Sequence, residues 1–390
     1  MDYFLTPEQK MIRDLARKVA EEKMLPVRAE LDEKEEFPEE IIKVSADAGL
    51  MGVSMPEEYE GFGGGILEYC LVAEELSRVC LGIATSVIAS GLGAMPILLF
   101  GNPEQKKQYL PDIAKGKKLA AFGLTEADAG SDASALRTTA IRKGEGYVLN
   151  GTKQWITNGG EAEIYSIIAM TDRSKGARGA SALIVEKGTP GFTFGKKEKK
   201  MGLRASATRE LVFQDCFVPQ QNLIGKEGMG FIVTMRTFDR TRPGIGAQGV
   251  GLAQGALEGA VLYAREREQF GKKIISFQAV QHMLADMATL VEAARALVYS
   301  VARYIDQSEN PKEISKVSGM AKVFASDVAM KVTTDAVQVF GGYGYMKDYP
   351  AEKMMRDAKI LQIYEGTNQI QRNIIGLELN KEYAGKKGPR

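Results

Sequence analysis

Nucleophile and metal chemistry have little to work with in this chain. Its three cysteines, Cys70, Cys80 and Cys216, are widely spaced and form no C-x-x-C, so neither a disulfide framework nor a zinc site is expected. His282 is the only histidine and lies in the helical run QAVQHMLADM. It reads as a residue on a helix surface, not as the partner of a Ser or Cys nucleophile. Acid–base work therefore falls to carboxylates, and harder chemistry to a bound cofactor. One familiar motif is discounted. Gly244–Gly249 matches G-x-G-x-x-G, but that fingerprint works only between a strand and a helix. Here Arg240-Thr241-Arg242-Pro243 precedes it and both flanks read as helix, so close packing along a bundle helix explains these glycines.

The elements that must position any site divide the chain in three. A length of 390 residues suggests two or three domains. Residues 1–120 read as successive helices: Thr6-Pro7-Glu8-Gln9 is a capping box with Pro at the first helical position. Pro26 breaks or kinks that helix, Phe37-Pro38 opens another that Gly49 helps to end, and Gly61–Gly65 turns into an apolar helix from Leu67 to Val79. Across 121–230 the period becomes that of strands. Asn150-Gly151, between Tyr147–Leu149 and Lys153–Thr157, reads as the type I′ turn of a hairpin. Ile164–Met170, Ser181–Val185 and Leu211–Phe213 read as further strands. From 231 to 390 the chain is helical again. Phe277, Val280, Leu284, Met287, Val291, Ala294, Val298 and Val301 form a bundle seam, and a second long helix ends at Gly341-Gly342. The fold class expected is multidomain α+β: an N-terminal helical domain, a central β-barrel or sheet domain and a C-terminal four-helix bundle.

Composition narrows the function. With 51 Lys+Arg against 50 Asp+Glu the net charge is +1, which lacks the basic excess of a nucleic-acid binder. No apolar run is expected to reach the roughly 18 residues that a membrane span needs. The opening MDYFLTPEQK shows neither a basic n-region nor an apolar h-region. The expected location is the cytoplasm of a bacterial-type cell, or the mitochondrial matrix for a processed form.

Four segments carry a resemblance. Leu124–Asp132, read LTEADAGSD, resembles the TEPxAGSD signature of the acyl-CoA dehydrogenase family, with Ala127 at the usual Pro position. Trp155-Ile156-Thr157 resembles its flavin-facing W-I-T/S. Arg265–Lys272 resembles its R-x-x-FG-K segment, and Gln338–Gly342 followed by Ile363–Ile370 (IYEGTNQI) completes the set. The order and spacing fit over essentially the whole chain.

The resemblance implies FAD bound between the β domain and the C-terminal bundle. Thr125 would face the pyrimidine side, Ser131 the pyrophosphate and the substrate's pantetheine, and Thr157 flavin N5, with Trp155 packed on the ring. Phe122, Leu124, Gly341, Gly342, Thr367 and Gln369 complete the cofactor contacts it implies. Arg267 and Phe270 resemble residues that reach the FAD of a neighbouring subunit in a homotetramer, with Gln278 and Gln338 near its adenosine side. Read from the residues alone, Arg267 belongs equally to a solvated Arg-Glu-Arg-Glu face. Independently of the family, Leu124–Asp132 offers a flavin edge a Thr hydroxyl and successive backbone N–H groups.

Glu365 resembles the family's catalytic glutamate, and Gly366 permits close approach of substrate to backbone. Removing a thioester α-proton needs such a base and a place for the enolate charge. Thr367 or Asn368 caps the next helix, whose positive end lowers the Glu365 pKa, whereas burial beside Ile363, Tyr364 and an acyl chain raises it. Burial is expected to win. Some relatives carry the base at the position of Thr241, which cannot serve. Asp239, Arg242, Gly366 and Arg372 resemble contacts to the CoA substrate, although Arg242 fits a structural ion pair as well. Ile83 takes the place of an Arg found in relatives that use dicarboxylyl substrates. The function implied is FAD-dependent α,β-dehydrogenation of an acyl-CoA, short or medium, with branched or alicyclic chains open. Electrons would pass to an electron-transfer flavoprotein. An oxidase using O₂ and a non-catalytic CoA-binding protein are the rival readings.

Overall fold

The computed structural model describes residues 3–308 and 311–384, with the side chains of residues 311 and 312 not described. The start of the N-terminal reading at residues 1–2, and the end of the C-terminal domain at 385–390, lie outside them. The helices of the first third are α1 (Pro7–Val19), α2 (Arg28–Lys34), α3 (Glu39–Asp47), α4 (Ile66–Val79), α5 (Leu81–Phe100) and α6 (Pro103–Ala114). The capping box forms as expected, Thr6 Oγ1 accepting from Gln9 N and Gln9 Oε1 from Thr6 N. One turn of π-helix, Ala20–Met24, carries α1 to its end just before Pro26.

α5 corrects one expectation. Its 20 residues include no charged side chain, and among the described residues it is the one helix long and apolar enough to cross a membrane. Two thirds of its most apolar stretch is buried inside the protein, against α4, the long helix α7 (Gly230–Glu266) and strand β1 (Ala120–Gly123). Its apolarity serves a core flanked on several sides.

An eight-stranded, mostly antiparallel sheet follows. It comprises β1, β2 (Thr139–Lys143), β3 (Gly146–Thr157), β4 (Ile164–Met170), β5 (Ala180–Glu186), β6 (Phe192–Lys197), β7 (Thr208–Pro219) and β8 (Leu223–Ile224). The order is β6-β7-β3-β2-β4-β5-β8, with β1 parallel to β4. Asn150-Gly151 is not a turn. The β2–β3 turn is Gly144-Glu145, between paired Lys143 and Gly146, and β3 runs unbroken through Asn150. At that point β3 bulges against β7. Asn150 fills the gap in the ladder with its side chain: its Oδ1 accepts from Asp215 N at 2.9 Å and its Nδ2 donates to Asp215 Oδ1 at 3.2 Å. Gly151 has φ +143°, and a Cβ there would lie 2.6 Å from Thr138 Oγ1. Asn-Gly suits a bulge as well as a turn, and only the partner strand distinguishes them.

The last third is helical around α7, with hairpin β9 (Glu268–Gln269) and β10 (Lys272–Lys273), then α8 (Gln278–Gln307), α9 (Pro311–Phe340), α10 (Ala351–Leu361) and α11 (Asn368–Glu382). α7 packs on α4, α5, α8 and α9. The G-x-G-x-x-G run lies inside α7 and is buried throughout. A Cβ at Gly244 would sit 2.2 Å from Tyr69 Cε1, and one at Gly249 2.9 Å from Ala325 O. The glycines are there for helix packing. In α8, Leu284, Met287, Val291, Ala294, Val298 and Val301 are buried as the seam predicts. His282 is exposed on the same helix.

Candidate active site

The β domain contributes a shaped rim. Beneath the loop Leu124–Asp132 lies a buried ion pair: Lys153 Nζ donates to Glu126 Oε1 at 2.7 Å and to Leu124 O at 2.9 Å. The Glu126 carboxylate also accepts from Arg137 N at 2.6 Å and Thr138 N at 3.0 Å. Burial opposes its charge, but these partners hold it below the usual glutamate range, while burial brings Lys153 down to about 8. The sequence points to the hydroxyls and backbone N–H groups of this loop and not to Glu126. Its anchor, Glu126, carried no signal except a buried partner 27 residues away. The turn lacks the family's Pro at Ala127, yet Glu126 and Ala129 exchange backbone hydrogen bonds at 3.2 and 3.1 Å and close it without one.

A second bulge in β3, between Lys153 and Ile156, sets the aromatic. Gln154 N leaves the ladder to donate to Thr125 O at 2.8 Å, and Trp155 takes φ +57°. That left-handed backbone costs a non-glycine residue about 1–2 kcal/mol. It leaves the largest side chain of the domain 55% exposed over the groove. Thr125, Ser131, Trp155 and Thr157 line one wall of this groove, about 630 Å³ in volume. A planar hydrogen-bonding ring system fits there: an indole to stack on, with the hydroxyls of Thr125, Ser131 and Thr157 in the same lining.

The opposite wall is the turn between α10 and α11. Thr367, not Asn368, is the N-cap of α11, its Oγ1 accepting from Ile370 N. Glu365 has φ +50° and Gly366 φ +91°. Helices on three sides hold this strained turn. From α7, Arg242 Nε donates to Glu365 O at 3.0 Å; from α11, Gln371 Nε2 donates to the same oxygen at 3.2 Å; from α9, Lys322 Nζ donates to Gly366 O at 2.9 Å. Thr241 Oγ1 donates to Glu365 Oε2 at 2.8 Å. Burial pushes the Glu365 carboxyl up to about 7, against the pull of Thr241, Arg242 and Lys322. The protein's own side chains therefore suffice to raise it. Behind it, Tyr364 Oη donates to Gln248 Oε1 at 2.9 Å, and Gln248 Nε2 to Thr85 Oγ1 at 2.9 Å. Thr241, Lys322 and this chain of hydrogen bonds were missed as site residues. Gln248 was hidden inside the discounted glycine motif.

The remaining predicted residues divide. Gly366 and Thr367 line the groove with Glu365. Phe122 and Leu124 are buried; the Phe122 ring packs edge-on against Phe238, and the Leu124 carbonyl is held by Lys153. Gln369 is exposed on α11. Arg242 is 3% exposed and 3.8 Å from Asp239, and its firmest contact is the Glu365 carbonyl. Asp239, also buried, accepts from Ser315 Oγ at 2.7 Å and Arg236 at 3.2 Å. Both sit behind the base, outside the groove lining, which favours the structural reading of the pair. Arg372 is exposed and pairs with Asp327 at 2.6 Å. Ile83 is fully buried on α5 and does not line the groove.

Arg267, Gly341 and Gly342 are elsewhere, lining a second hollow of about 560 Å³ with Tyr343. The Arg267 guanidinium lies 5.4 Å from the Tyr343 ring centre. Phe270, at the tip of the β9–β10 hairpin, is 93% exposed; Gln278 at the start of α8 and Gln338, three residues before Gly341, are exposed as well. One chain thus displays the predicted cofactor contacts in two separate places.

Comparison with known proteins covers the whole architecture. The chain matches the acyl-CoA dehydrogenase N-terminal domain over residues 6–117, the middle domain over 121–216 and the C-terminal domain over 228–379. It is 50% identical over 377 residues to a short-chain-specific acyl-CoA dehydrogenase of Clostridium acetobutylicum, covering 96% of this chain and 98% of that one. It is 48% identical to an acryloyl-CoA reductase (NADH) of Anaerotignum propionicum, covering 98% and 96%. Butyryl-CoA dehydrogenase of Megasphaera elsdenii superposes with a TM-score of 0.94 at 47% identity, over 97% and 100% of the two chains. A chain from a structural study of the electron transferring flavoprotein of Acidaminococcus fermentans and flavin-based electron bifurcation superposes at 0.95 and 53% identity, over 97% and 99%. An acyl-CoA dehydrogenase of Bacillus anthracis complexed with FAD superposes at 0.91 and 38% identity, over 99% of this chain and 69% of that one. Family members are FAD flavoproteins. With all three domains matched and full-length relatives at half identity, this chain belongs to the acyl-CoA dehydrogenase family of oxidoreductases.

Proposed function

We propose that the protein removes the α-proton of a short acyl-CoA with Glu365 while a hydride leaves the β-carbon, giving the 2-enoyl-CoA. The observation that carries this reading is the Glu365 carboxyl, pushed up to about 7 and opening on the groove shared by Thr125, Trp155 and Thr157. A base near neutrality is half ionised at working pH and still strong enough to take the proton. Thr241 occupies one carboxylate oxygen and leaves the other for substrate. Among the described residues no acceptor takes the Glu365 N–H, which makes it available to the thioester oxygen as enolate charge develops. FAD, when bound, supplies the hydride acceptor. Thr125, Ser131, Trp155 and Thr157 would hold its ring and pyrophosphate here, and Arg267 and Phe270 the far end of a neighbour's FAD in a homotetramer.

A short acyl chain is supported by the names of the relatives. For the electron acceptor we favour an electron-transfer flavoprotein docking near Trp155, in keeping with the source of one matching chain. The buried glycine motif of α7 offers no nicotinamide site. Glu365→Gln tests the assignment. It should keep its yellow flavin and bind butyryl-CoA, yet lose flavin bleaching by about 10⁴-fold. Near-normal bleaching would dismiss Glu365 as the base.

A further inference from the structure

Lys322 is a buried cation for which proton abstraction, as described, gives no task. It projects from α9 and its side chain is completely buried. Its ammonium donates to Gly366 O at 2.9 Å and to Asn368 Oδ1 at 2.8 Å, both neutral acceptors. The carboxylate on its own helix, Asp327, is taken up elsewhere: Oδ2 by Arg372, Oδ1 by Gln362 and by Asn368 Nδ2. A buried ammonium without its own counter-ion is costly, and an apolar side chain of similar length would serve packing better.

The charges around it come from several elements. Glu365 faces Lys322 from the catalytic turn, Arg242 from α7, Asp327 from α9 and Arg372 from α11. Glu365 in turn faces Thr241 and Arg242 of α7, Lys322 of α9 and the buried Tyr69 of α4. Two cations thus act on the base. Arg242 has Asp239 at 3.8 Å to share its charge, whereas the carboxylate that most favours the Lys322 ammonium is Glu365, ahead of Asp327.

We propose that Lys322 is a positioning residue for proton abstraction, locking the Gly366 carbonyl so that the left-handed turn presents the Glu365 carboxylate, and holding that carboxylate ionised by its charge. This rests on Glu365 being the base. The hydrogen bond to Gly366 O acts on the backbone next to the reacting group, so losing it loosens the geometry on which abstraction depends. The charge acts separately, on the proton equilibrium. Burial pushes the Lys322 ammonium down to about 7, as it pushes Glu365 up to about 7, so the two groups titrate in the same range. Removing the cation leaves Glu365 with burial and one fewer favourable charge, and its pKa rises.

The test uses flavin-loaded Lys322→Met and Lys322→Gln enzymes beside the wild type and Glu365→Gln. Flavin bleaching by butyryl-CoA is followed as a function of pH. The protonated carboxyl of Glu365 is titrated independently by infrared difference spectroscopy, its band identified by its loss in Glu365→Gln. In both Lys322 variants the acid limb and the infrared titration should move to higher pH by about one unit. Lys322→Gln, which keeps a donor for the turn, should retain more of the plateau rate than Lys322→Met. If Lys322→Met fails to load flavin, Lys322→Gln decides alone. An unmoved acid limb with an unmoved infrared titration overturns the proposal even where the plateau rate falls, because a purely structural lysine would behave in that way. Near wild-type bleaching by Glu365→Gln would instead overturn the base assignment, a separate outcome.

Discussion

Two turns in this molecule share a backbone and differ in almost everything else. Glu365-Gly366 has φ values of +50° and +91°, and Phe270-Gly271 has +53° and +74°. Each places a large non-glycine residue in the left-handed region just before a glycine. Around Glu365, side chains from α7, α9 and α11 take both carbonyls of the turn. Around Phe270 the supports are local: the β9–β10 ladder, a Lys273–Glu268 ion pair at 2.8 Å, and Phe277 edge-on at 6.0 Å. The first turn is over-determined by its own chain. The second projects an aromatic ring that its own chain leaves 93% exposed. Strain marks both turns, and the difference lies in where its compensation comes from.

Identical substitutions in the two turns should therefore diverge. At Gly366 a new Cβ would fall 2.4 Å from Gln371 Nε2, so Gly366→Ala must displace a side chain that holds the Glu365 carbonyl. Flavin bleaching should drop by about 100-fold with flavin still bound, since small misplacements of reacting groups are that costly. An unaltered rate would mean the turn is not what positions the base. A smaller effect is expected at the hairpin. Arg267→Ala should weaken flavin retention about tenfold, the loss of one charge-assisted contact, with dissociation growing on dilution. Flavin content independent of protein concentration would break the idea that the hairpin serves a neighbour.

The pH dependence sharpens the same contrast. With its folded pKa raised to about 7 from 4.5, Glu365 binds more protons folded than unfolded between those values. It follows that this group costs the wild type stability as pH rises from about 4.5 to 7, and the cost is complete above 7. Thermal melts should show Glu365→Gln gaining on the wild type across that window, while wild-type turnover rises over its upper end. A constant difference in melting temperature would mean that folding does not raise the Glu365 pKa. The mildest change is Gly271→Ala. No atom lies within 4 Å of a Cβ there, so only backbone strain of about 1 kcal/mol is added, visible as a slightly lower melting temperature. A loss of turnover comparable to that of Gly366→Ala would show that the two turns are not as different as their surroundings.

Much of this protein was legible in the residues. The Thr6 capping box, the α8 seam and the buried glycines of α7 follow from local rules, because periodicity and capping depend on neighbours along one element. The segments around Thr125, Trp155, Arg267 and Glu365 were recognisable for the same reason: each is short and contiguous. What depended on a partner distant in sequence was not legible. Asn150-Gly151 became a bulge because β7 lies opposite it, and the uncharged run of α5 became a core helix because α4, α7 and β1 enclose it. Glu126 needs Lys153 to be an anchor. Thr241 reads as a residue incapable of acting as a base until Glu365, 124 positions later, is folded against it. Residue types and local spacing decided which groups are present and which elements carry them. Only the packing of α7, α9 and α11 around one strained turn decided how deeply Glu365 is buried, which cations face it, and therefore where its proton equilibrium lies.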